Sequence, residues 1–553
     1  MAFMTKSIQP TPWAASSGRW GQSGVVGFIL FSAVLNAVLF QWPLYRLALS
    51  TRSAFDGHGV LALLTLFVVQ LLVSITVLGL AALLSVRLLK LLCMLFAVGN
   101  AVALYFIVQY GVLIDATMGG NILNTRFSEA AELAHPKLLM YVVLLGLLPA
   151  LLVARVRIVA SSRVRRGTFV LVSLLLGSAW LYANAASWLW IDKHAKQFGA
   201  LMLPWSYVIN PVRHQLQEAR QNRPPDLLPP LTSTNTGTDT QRVVVVLVIG
   251  ESARAQNFSL LGYARQTNPL LAQSGAIAFP GATACSTYTT ASLRCMLSHR
   301  SVGDQGGNDE PLPSYLHRHG VQVVWRSNNF GEPPLQVTHY ERADEIRKAC
   351  VGECARLDYD QVLLEGLAAR LRAAPPTQKT LVVLHQTGSH GPQYFKKVPP
   401  DFERFKPICR TVELQKCSSE ELVNAYDNTI LYTDEVLNRV IELLKSLQGT
   451  ASVMLYMSDH GESLGERGLY LHGVPASIAP EVQTAVPLLV WMSDDFLRLR
   501  GTDRAAARAA ALASASAAGP PSHDVVFHSV MGALGLTSAI YVPQRDLFRA
   551  VQP

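Results

Sequence analysis

The stretch Ser458-Asp459-His460-Gly461-Glu462-Ser463, followed by Leu471-His472-Gly473, gathers two carboxylates and two imidazoles into one short segment. Hard oxygen and imidazole nitrogen together are the donor set that suits zinc. A further carboxylate stands far upstream in Gly250-Glu251-Ser252. Three protein ligands, Glu251, Asp459 and His460, would leave a tetrahedral zinc one open position, the arrangement that catalytic sites use. The fourth donor is expected in Cys285-Ser286-Thr287-Tyr288-Thr289-Thr290-Ala291-Ser292. A hydroxyl is a poor nucleophile at neutral pH until a base or a metal lowers its pKa. Spacing alone leaves open which hydroxyl of this run it is. A third polar stretch, Leu384-His385-Gln386-Thr387-Gly388-Ser389-His390-Gly391-Pro392, adds two imidazoles. Together with His472 they point to a second metal or to the anchoring of a phosphoryl group, whose developing negative charge must be stabilised.

These residues need elements that bring them together. The run from Val243 to Ile249 is continuously apolar and almost wholly β-branched, the pattern of a strand buried on both faces. Similar runs recur at Val321 to Trp325, Leu381 to Leu384, Val453 to Met457 and Leu488 to Trp491. Helical patterns lie between them, the clearest from Glu420 to Leu444 with Ser418 or Ser419 as N-cap. Alternating strands and helices argue for a mostly parallel sheet covered on both faces. Two of the strands run straight into Glu251 and into Asp459-His460, so parallel central strands would bring all three to the carboxyl edge of the sheet, where open α/β sheets bind ligands. The Ala-rich stretch from Arg504 to Ala518 reads as a low-complexity surface insertion.

Ahead of this domain the chain is of another kind. Half of the 553 residues are apolar and the mean hydropathy is +0.25, high for a soluble protein of this length. The excess sits in the first 200 positions, where five runs reach the roughly 20 residues that cross a bilayer. They extend from about Val25 to Tyr45, Val60 to Leu84, Leu91 to Ile114, Leu138 to Val153 and Thr168 to Ile191. The first lacks a short apolar core with a small-residue cleavage site and reads as a retained anchor. Lys6, Arg19, Arg87, Lys90, Arg155, Arg157, Arg163, Arg165 and Arg166 lie on one side of these spans, against Arg46, Arg52, Arg126 and Lys137 on the other. The positive-inside rule places the N-terminus in the cytoplasm, and five spans then put everything after Ile191 on the far side. The expected organisation is a membrane domain over 1–191, an interfacial helix and linker over 192–241, and an outer domain over 242–553.

Cysteine usage tests that placement. Cys93 falls inside the third span, and the other six form three close pairs, Cys285/Cys295, Cys350/Cys354 and Cys409/Cys417. Local pairs in an outward-facing domain fit disulfides in an oxidising compartment, nearest-neighbour pairing being the most economical of the possible connectivities. The absence of any Cys-x-x-Cys pair argues against zinc binding by these thiols. The net charge of +9 suits an anionic membrane or acceptor, while no basic stripe with interleaved aromatics marks a nucleic-acid surface.

The motifs together resemble the phosphoethanolamine transferases of Gram-negative bacteria, the family that includes the mobile colistin-resistance enzymes. The matching features are Gly250-Glu251-Ser252-Ala253-Arg254, Asn257-Phe258-Ser259 with Gly262-Tyr263, Thr267-Asn268-Pro269, His385-Gln386 through Pro392, Asn424-Ala425-Tyr426-Asp427-Asn428, and Ser458 through Glu466 with His472-Gly473. The five-span anchor and the segment Asn121 to Thr125 fit as well. The resemblance implies an inner-membrane, multi-pass enzyme with an alkaline-phosphatase-like (sulfatase-like) α/β catalytic domain in the periplasm. It implies transfer of phosphoethanolamine from phosphatidylethanolamine to a lipopolysaccharide acceptor, typically a lipid A phosphate, with release of diacylglycerol and resistance to polymyxin and colistin. By position it makes Glu251, Asp459 and His460 zinc ligands and Thr289 the nucleophile and fourth donor. His390, His472, His385 and Glu462 then belong to the donated phosphate or a second zinc, and Asn121, Thr125 and Glu129 to the lipid headgroup. A monomer is expected.

Two departures stand out. Ser286 follows Cys285 where the family commonly has Gly, and Arg294 precedes Cys295 where Pro is usual. Thr290 adjoins Thr289, so the nucleophile could lie one position on. Asn328-Asn329 leads to Phe330-Gly331-Glu332-Pro333, without the Lys the family often places there. The competing readings are a phosphoglycerol or other headgroup transferase of the same superfamily, a transferase serving core sugars or glucans, and a lipid-binding membrane protein with structural zinc.

Overall fold

The computed structural model describes residues 22–51, 59–115, 118–120, 135–159, 161–221, 224–232, 241–304, 307–351, 359–375, 377–475 and 478–549. Asn121, Thr125, Glu129 and Cys354 lie outside the described residues. Contacts divide the chain into two units, Met1–Tyr105 with Pro136–Ser206, and Phe106–His135 with Tyr207–Pro553.

The first unit is helical. Val25–Leu39 (α1) and Trp42–Thr51 (α2) form a pair bent by 59°, followed by Gly59–Leu84 (α3), Val86–Tyr110 (α4), Pro136–Arg155 (α5) and Arg163–Ala183 (α6). Among the described residues α3 to α6 are each long and apolar enough to cross a membrane, and the bent pair makes a fifth span if it counts as one. The run expected from Val25 to Tyr45 breaks after Leu39 because Pro43 has no N–H and its ring crowds the carbonyl four residues back. The run expected to reach Ile114 ends at Tyr110, before Gly111 with its φ of 72°. The last run ends at Ala183 rather than Ile191, since Asn184 closes α6 and a separate helix, Ala185–Lys193, follows. Large apolar side chains such as Phe31, Leu139 and Leu175 are exposed on these helices, a surface that hydrocarbon rather than water covers.

The second unit is built on a seven-stranded sheet of Arg242–Gly250 (β1), Ile277–Phe279 (β2), Gln322–Ser327 (β3), His339–Arg342 (β4), Lys379–His385 (β5), Thr450–Ser458 (β6) and Leu488–Met492 (β7). Across the sheet the order is β2-β7-β6-β1-β5-β3-β4. β1 lies parallel to both β6 and β5, β3 is parallel to β5 and β4, and only β7 and β2 bring antiparallel pairing. Period-two alternation splits β1 between two cores. Val243, Val245, Leu247 and Ile249 pack with the helix Val525–Ala533, while Val244, Val246 and Val248 pack with Leu437, Val440 and Ile441 of the long helix Ser419–Lys445. That helix starts in a capping box, Ser418 Oγ accepting from the Glu421 amide while Glu421 reaches back to the Ser418 amide.

Two stretches behave differently from their composition. Arg504–Ala518 is a helix capped by Asp503, and its Ala507 and Ala511 are buried in the first core, so it is no loose insertion. The small alanine face lets it lie close against the sheet edge, and its Arg504 and Arg508 reach back to the carbonyls of Met492 and Ala276 at 3.1 and 3.3 Å. Residues 224–232, rich in proline, bury Leu228 and pair Leu231–Thr232 with Thr537–Ser538. The helix Trp205–Gln221 precedes them, with Val208, Val212 and Leu216 exposed at intervals of four. Disulfides join Cys285 to Cys295 and Cys409 to Cys417, whereas Cys93 is free.

Candidate active site

Strand register assembles the site. β1 and β6 are neighbours with Gly250 opposite Ser458, so Glu251 and the Asp459-His460 pair leave the sheet side by side. Ile249 lies opposite His385, and His385 opposite Ser327, which brings the loops after β5 and β3 to the same edge. Glu251, Asp459 and His460 are fully buried. His460 Nε2 lies 3.4 Å from Glu251 Oε1 and 3.3 Å from Asp459 Oδ2. Thr289 begins the helix Thr289–Met296 (α7), and its Oγ1 is 3.0 Å from Glu251 Oε2 and 3.4 Å from His460 Nε2. Thr290, the neighbouring candidate, makes neither contact among the described residues.

These distances match a single four-coordinate ion. Bonds of about 2.0–2.2 Å in a tetrahedron separate the donors by roughly 3.3–3.6 Å. The donor chemistry agrees. His460 Nδ1 stands 2.9 Å from the Gly461 carbonyl, which only accepts, so Nδ1 carries the proton and Nε2 turns its lone pair inward. Burial, and then His472, push His460 down to about 3, keeping the ring neutral. Asp459 Oδ1 accepts from the amides of Ser252 and His460 at 3.1 and 2.7 Å, but Oδ2 has no hydrogen-bond partner among the described residues. A buried carboxylate oxygen without a donor calls for a cation. Without one, burial and the adjacent Glu251 hold Asp459 far above the usual carboxylate range. The described residues thus contain a cluster suited to a metal, of which Glu251, His460 and His472 form one compact subset.

The remaining predicted residues form a second tier. His472 Nδ1 lies 3.2 Å from Glu462 Oε1 and 3.4 Å from Ser252 Oγ, and its ring centroid is 4.2 Å from that of His460. His390 stands 5.4 Å from His472 by ring centroid and is pushed down to about 4, chiefly by burial. Glu462 is fully buried and raised by that burial. His385 is placed differently: its Nδ1 faces Ser327 Oγ at 3.2 Å and Glu332 Oε2 at 3.7 Å, and among the described residues it makes no hydrogen bond or ion pair with Glu251, Asp459 or His460. Cys285, Cys295 and His523 also cluster, yet the two thiols are spent in a disulfide and His523 Nε2 bonds the Ser458 carbonyl at 2.9 Å.

Sequence reasoning passed over several groups that hold this arrangement. Asn329 Nδ2 donates to Glu251 Oε2 at 2.7 Å and to the Gln386 carbonyl at 3.0 Å. Its signal was present, since Asn328-Asn329 follows a buried strand just as Glu251 and Asp459 do. Ser252 takes a φ of 55°, a left-handed conformation rare outside glycine, held by its amide bond to Asp459, its own Oγ bond to Glu251 (2.7 Å) and the Tyr426 hydroxyl on its carbonyl (2.7 Å). Buried Asp360 accepts from the amides of Thr387 and Gly388 and from Asn328, tying two loops together. Gly388 needs its φ of 50°, and a Cβ there would lie 2.7 Å from the Glu251 carbonyl.

Comparison with known proteins matches both parts of the chain. The family model described as phosphoethanolamine transferase EptA/EptB matches residues 72–218, and the sulfatase model matches residues 244–536. Phosphoethanolamine transferase EptA of Helicobacter pylori is 36% identical over 529 residues, covering 94% of this chain and 96% of its own. Phosphatidylethanolamine transferase Mcr-1 of Escherichia coli is 33% identical over 430 residues, 73% of this chain and 78% of its own. Among solved structures, the integral membrane protein lipooligosaccharide phosphoethanolamine transferase A from Neisseria meningitidis superimposes with a TM-score of 0.85 at 29% identity, covering 96% of this chain and 100% of that one. With a sulfatase-type α/β domain joined to membrane-spanning helices, and with relatives matched along nearly the whole length, the chain belongs to the phosphoethanolamine transferase family.

Proposed function

We propose that this protein transfers phosphoethanolamine from phosphatidylethanolamine to a lipopolysaccharide acceptor, lipid A phosphate foremost, through a phosphoethanolamine-threonine intermediate on Thr289. The observation that carries this reading is the Thr289 hydroxyl standing as fourth donor beside Glu251 and His460. Glu251, Thr289, Asp459 and His460 would hold one zinc, and bound there it lowers the pKa of the coordinated hydroxyl.

Thr289 Oγ attacks phosphorus, the bond from phosphorus to the diacylglycerol oxygen breaks, and the threonine proton leaves with diacylglycerol. An acceptor phosphate oxygen then attacks the same phosphorus, the bond to Thr289 Oγ breaks, and a proton returns to the hydroxyl. His472, oriented by Glu462, and His390 are read as holding the phosphoryl oxygens or a second cation. Asn329 steadies the Glu251 oxygen nearest the nucleophile. Asn121, Thr125 and Glu129 are assigned to the lipid headgroup. His385 is assigned with them to the substrate side, its own bonds suggesting support of the β3 loop through Ser327. The domains are read as a membrane part over 1–191, an interfacial helix and linker over 192–241, and a periplasmic catalytic part over 242–553 in a monomeric inner-membrane enzyme that confers polymyxin resistance.

Intact-mass measurement after incubation with phosphatidylethanolamine and zinc tests this, wild type beside Thr289→Ala. A phosphoethanolamine adduct on wild type alone is expected. A folded, zinc-loaded wild type that neither gains the adduct nor releases diacylglycerol would overturn the donor assignment.

A further inference from the structure

Next to the nucleophile the second unit has a cleft of about 720 Å³ that none of Glu251, Thr289, Asp459 or His460 lines. Its wall includes Tyr288 and Thr290, the residues on either side of Thr289, and continues to Arg294. Thr290 and Arg294 are four positions apart on α7 and therefore share a helix face. Pro333 and Pro334 line the cleft as well. They follow a loop pressed against the nucleophile: a Cβ on Gly331 would stand 3.1 Å from Thr290 Oγ1 and 3.4 Å from Thr289 Cγ2.

Two guanidiniums border this space. Arg300 is engaged by Asp309 and, at 3.2 Å, by Asp304, so its charge is offset within the wall. Arg294 offers five N–H donors in a planar fork, enough to serve more than one acceptor and shaped to meet a phosphate in bidentate fashion. The remaining lining mixes proline faces with the hydroxyl of Ser286 and the amide of Asn308, the combination that suits a sugar ring.

A two-step transfer brings two substrates to one oxygen in succession. The second needs a seat beside Thr289 that the covalently held group does not fill. We propose that this cleft seats the acceptor, a phosphorylated sugar, with Arg294 holding acceptor phosphate; the assignment rests on the transferase reading above. In that seat an acceptor phosphate oxygen forms the new bond to phosphorus, the bond to Thr289 Oγ breaks, and the acceptor's proton passes to Oγ.

The test separates the two half-reactions in the full-length, zinc-loaded protein. Adduct formation and diacylglycerol release are measured with phosphatidylethanolamine vesicles alone, and transfer is then measured after adding lipid A. Arg294→Ala should form the adduct at close to the wild-type rate while KM for lipid A rises roughly 10- to 100-fold, the worth of one or two charge-assisted hydrogen bonds. Arg294→Lys should recover part of that loss. Ser298→Trp, which fills the cleft from just beyond the end of α7, should raise the same KM without slowing adduct formation. Equal losses in both half-reactions, or unchanged transfer in both Arg294→Ala and Ser298→Trp, would overturn the acceptor site. Failure of wild type to form an adduct before lipid A is added would overturn the transferase reading and the acceptor site with it.

Discussion

The two units bury polar groups to opposite ends. In the helical unit Tyr45 donates to Gln70 at 2.7 Å and Asn100 to Asn36 at 2.6 Å, so these inward-turned side chains satisfy each other. In the sheet unit Glu251, Asp459 and His460 are buried just as deeply, yet among the described residues Asp459 Oδ2 has no donor and three acceptor-type atoms face one another. The first arrangement costs little and locks helices together, since buried polar groups that pair are neutral to mildly stabilising. The second is unfavourable on its own and is stable only with positive charge among the donors. Burial of polar groups therefore does not by itself mark a site; a buried cluster of acceptors turned toward one another does.

The sharpest way to break this contrast is at the nucleophile. Thr289→Ala should abolish the adduct and lower transfer on the order of 10⁴-fold or more, measured as diacylglycerol release, while leaving the fold intact. A comparable residual rate in the variant would remove Thr289 from the chemistry and return attention to Thr290. The next test compares two leucines of nearly equal exposure, Leu176 at 67% in the helical unit and Leu227 at 69% in the sheet unit. Leu176→Asp should cost about 3 kcal/mol, because its surroundings are hydrocarbon, and should be read as lost membrane insertion. Leu227→Asp should stay within about 0.5 kcal/mol. Equal penalties would mean that the two surfaces meet the same solvent.

A smaller effect tests burial with satisfaction inside the sheet unit. Asp546 accepts from the Tyr541 hydroxyl at 2.6 Å and the Phe548 amide at 2.8 Å, and burial pushes it up to about 6. Its folded pKa lies above the unfolded value near 3.9, so its contribution is complete below about pH 4 and is lost as pH rises through 6, with roughly 2 kcal/mol of that loss falling above pH 4.5. Asp546→Asn should flatten that fall, as followed by unfolding midpoints in detergent between pH 4.5 and 7.5. Tyr45→Phe in the helical unit should cost less again, about 0.6 kcal/mol in stability, with transfer unaltered.

Much of the centre was legible because its ligands sit where apolar strands stop. The β-branched run before Glu251 and the apolar run before Asp459 predict buried strands, and a parallel sheet needs its functional side chains at those ends. What no spacing rule predicts is which strands are neighbours, and the adjacency of β1 and β6 is what turns three scattered residues into one cluster. The choice of Thr289 within a hydroxyl-rich run came from resemblance, since only the start of α7 at that residue aims its oxygen at Glu251. Asn329 was singled out only for the Lys missing after it and received no role of its own, because an amide is not a metal donor of the usual kind, although its position after β3 repeats the pattern. Composition misled at Arg504–Ala518, where alanine signals close helix packing rather than a loose surface segment. Proline decided the break after Leu39, a local rule that a hydropathy window averages away.

The register of β1 on β6 has a further consequence. Gly250 faces Ser458 at the last rung of a parallel ladder nine residues long on each side. A slip of one residue would turn every β1 side chain to the wrong core and carry Glu251 away from His460 by a full strand step of about 3.3 Å. A chain misaligned there could not close the donor set. Any ion that binds only the closed set favours the in-register sheet by mass action, so the candidate centre also acts as a gauge of whether the sheet beneath it was laid down in the correct alignment.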